Sequence, residues 1–112
     1  MTPKLGGYVV EYRYRVDPLV HDQLWPLLAV VRDYADHLGL AAFEVWQDDQ
    51  DPWTVVELHA YDSWAHHQRV ADKPQHPDMD KVYDGLDRLV EGGLRAVQSR
   101  AYVPVRLQAD AS

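Results

Sequence analysis

Between Val55 and Gln68 the chain reads VVELHAYDSWAHHQ, and strand alternation would put Glu57, His59 and Tyr61 on one side with Val56, Leu58 and Ala60 on the other. A carboxylate beside an imidazole is the arrangement of a general base. The carboxylate holds the ring's tautomer and stabilises the imidazolium, and histidine titrates near neutral pH. His67 stands four residues after Ser63, about one helical turn beyond that helix cap, and can point back over the end of the strand. Its neighbour His66 is expected to face solvent. Glu57, His59 and His67 are therefore the candidate catalytic residues. Arg13, on the first strand, is a candidate to stabilise a developing enolate or to pair with Glu57, and Tyr61, Trp46 and Trp64 are candidate flat walls for an aromatic ligand.

Each of these residues also has a structural reading. Glu57 and Arg13 can form a cross-strand ion pair at a wet margin, and His59 can line a pocket without acting as a base. His67 can be a packing residue bonded to backbone, and the tryptophans can belong to a core or an interface. No metal site is expected, because His21, His37 and His76 lack partner spacing and nothing resembles the H-E-x-x-H pattern.

The elements that must position these residues are legible from periodicity. In Tyr8 to Val16, YVVEYRYRV, Val10, Tyr12, Tyr14 and Val16 fall on one side and Glu11, Arg13 and Arg15 on the other, the pattern of a strand. Asp17-Pro18 predicts a helix start, with Asp as N-cap and proline at the first helical position. Leu24, Leu27, Leu28, Val31, Ala35 and Leu38 recur at helical spacing, Gly39 marks the stop, and Pro26 is expected to kink the helix. Leu40 to Gln47 and Trp53 to Tyr61 read as a hairpin around DDQDP. Ser63 predicts a short helix to about Ala71, and KPQHPD a break. A further helix is expected over Asp78 to Leu94, closed by Gly92-Gly93, then a last strand over Arg95 to Val105 and a loose tail LQADAS.

With right-handed crossovers this order gives an α+β, ferredoxin-like four-stranded antiparallel sheet with helices on one face. The other face is expected to be apolar, with Val56, Leu58 and Ala60 and the Tyr12/Tyr14 side of the first strand; face-to-face homodimerisation would bury it.

The 112 residues fit a single domain, 1–112, with an ordered core expected over about 7–106. Formal net charge is -7 and no Lys/Arg run is present, which argues against a nucleic-acid surface. There are 0 Cys, so disulfides and thiolate chemistry are excluded. No apolar run approaches the roughly 20 residues needed to span a bilayer, and the N-terminus shows no signal-peptide pattern, so no membrane partner and a cytoplasmic location are expected.

Three segments, EYRYRVDP, GLAAFEVWQDDQDPWTVVELHAYDSWAHH and the Ser63-Trp64 helix start within it, give the run from Glu11 to about Arg69 its character. It resembles the antibiotic biosynthesis monooxygenase-like proteins, dimeric α+β barrels, and within them the domain appended to some actinobacterial major-facilitator efflux proteins. The resemblance implies a homodimer with a cavity between sheet and helices in each subunit, taking a small aromatic or polyketide-like ligand, often with no metal, flavin or haem. It implies a cofactor-independent, monooxygenase-like or cyclase-like enzyme of secondary metabolism that abstracts a proton. A non-catalytic ligand-binding or dimerisation module is the alternative, and a haem-handling protein a third. Family members tend to carry a His or Tyr at the His67 position and a polar residue at Glu57. Tyr61 replaces their common Trp, and His59 stands where many carry Glu.

Overall fold

The structure, a computed structural model, describes residues 6–105 and 107. Strand β1 (Tyr8–Arg15) leads through a 3-10 turn (Pro18–Gln23) into helix α1 (Leu24–His37). The hairpin β2 (Ala42–Gln47) and β3 (Thr54–Tyr61) follows, then helices α2 (Trp64–Ala71) and α3 (Pro77–Leu89), a short 3-10 turn (Leu94–Ala96) and strand β4 (Gln98–Tyr102). The strands form one antiparallel sheet in the order β2-β3-β1-β4. Two split β-α-β units are thus interleaved, each enclosing a strand of the other. This is the ferredoxin-like α+β arrangement the sequence predicts.

Local chemistry explains the junctions. Asp17 caps the 3-10 turn, its Oδ1 accepting from the Leu19 N–H at 2.9 Å, with Pro18 next in line. The start of α1 removes the reason for the expected kink at Pro26. Because the first turn forms as 3-10 helix and α1 starts only at Leu24, Pro26 lies in the first α-helical turn, where its missing N–H removes no intrahelical bond. At the other end Gly39 takes φ +73 and Leu40 donates back to the Ala35 carbonyl at 3.1 Å, closing a Schellman turn. In the hairpin loop the Asp48 Oδ1 accepts from the Gln50 and Asp51 N–H groups, which fixes a turn of the kind DDQDP predicts.

Helix α3 ends at Leu89, short of the expected Leu94. Val90 is drawn out of the helix into an antiparallel bridge with Val16, and Glu91 N–H bonds the Arg15 carbonyl at 2.8 Å. Two backbone bonds to the end of β1 therefore override the helical continuation. Gly92 and Gly93, both at positive φ, then turn the chain into a 3-10 segment, so β4 starts at Gln98 and not Arg95. Of the tail, Gln108 to Ser112 lie outside the described residues, as does Arg106.

One core holds these layers together. Val16, Leu24 and Val55 are fully buried, and Tyr14, Leu28, Val31, Met79, Val82, Leu86 and Leu89 complete the packing of α1 and α3 on the sheet. Helix α2 buries no residue and sits at the end of β3. No helix among the described residues is long and apolar enough to cross a membrane.

The register corrects one expectation about the faces. Tyr12 is the partner of Glu57 and Tyr14 of Val55, so the tyrosines of β1 share the helix-covered face with Glu57, His59 and Tyr61. On the open face β1 contributes Val9, Glu11 and Arg13 beside Ala60, Leu58 and Val56. That face is mixed: an apolar stripe crossed by charges.

Two substitutions test this packing. Gly39→Ala meets no atom within 4 Å of the new Cβ, so its cost is the left-handed backbone alone, about 1 kcal/mol. Leu24→Ala empties a fully buried position and is expected to cost roughly 2–5 kcal/mol in chemical denaturation.

Candidate functional site

The helix-covered face of β1 and β3 is not filled by packing alone. A cavity of about 520 Å³ opens between it and the helices, with Tyr12, Tyr14, Glu57, His59 and Tyr61 on the sheet side. Tyr34 comes from α1, His67 from α2, Met79, Tyr83 and Leu86 from α3, and Lys73 and Gln75 from the connection between the last two helices.

Glu57 is the centre of the site. It is 5% exposed, and a buried carboxylate is tolerable only if its oxygens are hydrogen-bonded. Both are. The Tyr14 hydroxyl donates to Oε2 at 2.5 Å, and His59 Nε2 lies 2.9 Å from Oε1. Burial, and then the Glu57 charge it faces, push the Tyr14 phenol far above its ordinary range, so it stays a donor.

The same contact assigns the His59 tautomer. An ionised carboxylate can only accept, so Nε2 carries the proton and the lone pair of the neutral ring lies on Nδ1. The rings of Tyr12 and Phe43 hold the imidazole edge-on, with centroids at 4.9 and 5.0 Å. Nδ1 has no hydrogen-bond partner among the described residues, and no side-chain nitrogen or oxygen there is both sealed from solvent and unsatisfied.

His67 is set up in the opposite sense. The Gln68 side-chain amide sits 3.2 Å from its Nδ1, so with the amide donating the ring proton is on Nε2. Tyr8 and Tyr61 flank this ring at 5.0 and 4.9 Å. The cavity lining therefore includes one imidazole whose acceptor nitrogen, and another whose ring N–H, has no hydrogen-bond partner among the described residues.

Three candidates from the sequence lie elsewhere. Arg13 is paired with Val56 on the open face, and alternation along β1 points it away from Glu57, so neither the ion pair nor enolate stabilisation forms. Trp46 also pairs with Val56 on that face and is 57% exposed. Trp64, first residue of α2, is 60% exposed and does not line the cavity. His66 departs from its solvent-facing expectation: its Nδ1 accepts from the Asp62 N–H at 3.2 Å and its ring packs on Tyr61, leaving the side chain 11% exposed.

The sequence reading missed the phenols. Tyr12, Tyr14, Tyr34 and Tyr83 all border the cavity together with Tyr61. Their signal was present in the apolar side of β1 and of α3. What the pattern could not give was the pairing of Tyr12 with Glu57 that turns the first of these sides into the cavity floor. Among the described residues no group of three or more His, Cys, Asp or Glu could hold a metal.

Several solved structures share this fold. An antibiotic biosynthesis monooxygenase aligns with 88% of this chain and 99% of its own at a TM-score of 0.69 and 13% identity. A Nitrosomonas europaea protein, provisionally described by the same activity, aligns over 94% and 96% with a TM-score of 0.72 and 12% identity. A Deinococcus radiodurans protein of the same provisional description aligns over 94% and 99% with a TM-score of 0.70 and 14% identity. The fold is that of the antibiotic biosynthesis monooxygenase proteins. No protein-family model matches the sequence, and no curated protein matches it. At such identities the likeness to the monooxygenase-type structures speaks for the fold alone.

The phenols make the site's pH response specific. Burial raises Tyr61 to about 12, and raises Tyr12 and Tyr83 as well, each further held up by neighbouring phenols or Glu57. Raised folded-state values stabilise the protein fully below the ordinary tyrosine value near 10 and lose that contribution as pH climbs through about 12. Ultraviolet phenolate absorbance is therefore expected to rise later than in the denatured chain, with unfolding setting in over the same alkaline range.

Proposed function

We propose that the chain is a cofactor-independent enzyme, monooxygenase-like or cyclase-like, which abstracts a proton from an aromatic or polyketide-like small molecule. The observation that carries this reading is the Glu57–His59 contact, which leaves the basic nitrogen of His59 unpartnered in a cavity large enough for a fused ring system. His59 Nδ1 would take an acidic C–H or O–H proton, and Glu57 would stabilise the resulting imidazolium. The remaining enolate is electron-rich. With O2 it can form a hydroperoxide that loses water to leave a carbonyl; with an internal carbonyl it can close a ring. Tyr61 supplies a wall and His67 a hydrogen-bond donor to the ligand. Apolar lining from Val31, Met79 and Leu86 suits a flat apolar body.

Dithranol, a hydroxylated anthrone, is a suitable test substrate, with turnover followed by oxygen uptake. His59→Ala is expected to lower kcat by roughly 10²–10⁴. Glu57→Gln, which keeps shape but loses charge, is expected to lower it by a smaller factor. Turnover by wild type that both variants match removes the base from the mechanism and leaves a ligand-binding module.

A homodimer closed over the open sheet face belongs to the same reading. Trp46 at 57% exposure, beside Val56, and Tyr102 at 45%, beside Val9, lie at opposite edges of an apolar stripe through Leu58 that a second copy would cover. Trp46→Glu is expected to shift sedimentation toward a monomer while leaving the circular dichroism of the fold in place. A mass unchanged from wild type would place the interface elsewhere.

A further inference from the structure

The cavity holds more hydrogen-bond donors than its own chain uses. Tyr14 is committed to Glu57, but the hydroxyls of Tyr12 and Tyr83 have no hydrogen-bond partner among the described residues. Neither is sealed in, since no buried side-chain oxygen there lacks a partner. Both border the cavity, Tyr12 from the sheet beside Glu57 and Tyr83 from α3 above it. Tyr12 also packs its ring on the edge of His59.

The acceptor inventory is the reverse. Both Glu57 oxygens already accept a hydrogen bond, one from Tyr14 and one from His59. The unpaired acceptor next to them is the His59 nitrogen, and Lys73 adds positive charge at the rim. A ligand matched to this lining is rich in oxygen acceptors and carries one acidic proton.

We propose that Tyr12 and Tyr83 are the oxyanion donors of the site, holding the ligand oxygen on which negative charge develops as His59 removes its proton. The inference rests on the base role proposed for His59. In the step, the ligand O–H or C–H bond breaks, an N–H bond forms at His59 Nδ1, and the electron pair is delocalised onto an oxygen facing the two phenols. The substrate class is thereby a hydroxylated or β-dicarbonyl aromatic with at least one oxygen conjugated to the acidic position. Burial holds both phenols above their ordinary range, so both remain protonated donors at neutral pH.

Umbelliferone, a hydroxycoumarin whose phenol and phenolate differ in excitation spectrum, reports both parts separately. Bound to wild type below its own pKa, it is expected to show a phenolate fraction, because its proton passes to His59. Tyr12→Phe and Tyr83→Phe, which keep the rings, are each expected to lower the bound phenolate-to-phenol ratio about tenfold, as loss of a hydrogen bond to a charged group does, while affinity for the neutral form changes little. His59→Gln is expected to abolish the phenolate fraction with both tyrosines in place. A phenolate fraction that survives both phenylalanine variants and disappears in His59→Gln overturns the donor assignment and leaves the base standing. A phenolate fraction that survives His59→Gln overturns the base role. Absence of binding or of any phenolate in wild type overturns the donor assignment too.

Discussion

A buried carboxylate organises this molecule. Glu57 sits in the middle of a central strand on the face that α1 and α3 cover, where an unpaired ionised group would be far more costly than the few kcal/mol that stabilise a small domain. Its two oxygens are met by a phenol from the neighbouring strand and by an imidazole from its own strand. These contacts demand the β1–β3 register as strongly as the hydrophobic pattern does. A slip of one residue would turn Tyr14 to the open face and leave the carboxylate half satisfied.

That requirement also explains why the space above the strand is open. Helices α1 and α3 pack tightly where the sheet offers Tyr14, Val16 and Val55, the fully or nearly buried part of the core. Toward His59 and Tyr61 the sheet offers polar tips, and α2, which buries no residue, covers that end. Phenols fit this boundary because each has an apolar body for the core and a hydroxyl for the cavity. The fold therefore changes from a dry core to a lined pocket along the length of one strand.

Much of this was legible in the sequence. The strand and helix order followed from periodicity, Asp17-Pro18, Gly39 and Ser63 marked true boundaries, and the Glu57/His59/Tyr61 side was placed correctly toward the helices. Where the reading departed from the structure, the missing information was long-range. Helix α3 stops early because Val90 pairs with Val16, a contact across 74 positions that no local pattern encodes. Arg13 was expected beside Glu57 and Trp46 along the ligand because alternation says which residues share a side of one strand but not how two strands' sides correspond. His66 was misjudged because its partner is a backbone N–H four residues back, which only the helix entry geometry brings within reach.

The two members of the Glu57–His59 pair come from a single strand, two positions apart. Their separation is set by the pitch of an extended backbone, roughly 3.3 Å per residue, and owes nothing to how the helices are seated. On the proposed reading the base and its carboxylate therefore come from the floor alone, while much of the remaining lining comes from the helices of the roof. Helices of altered length or side chains can recut the cavity while the Glu57–His59 pair stays intact. Such a division makes the architecture easy to diversify, since a duplicated copy can change what it accommodates without first rebuilding that pair.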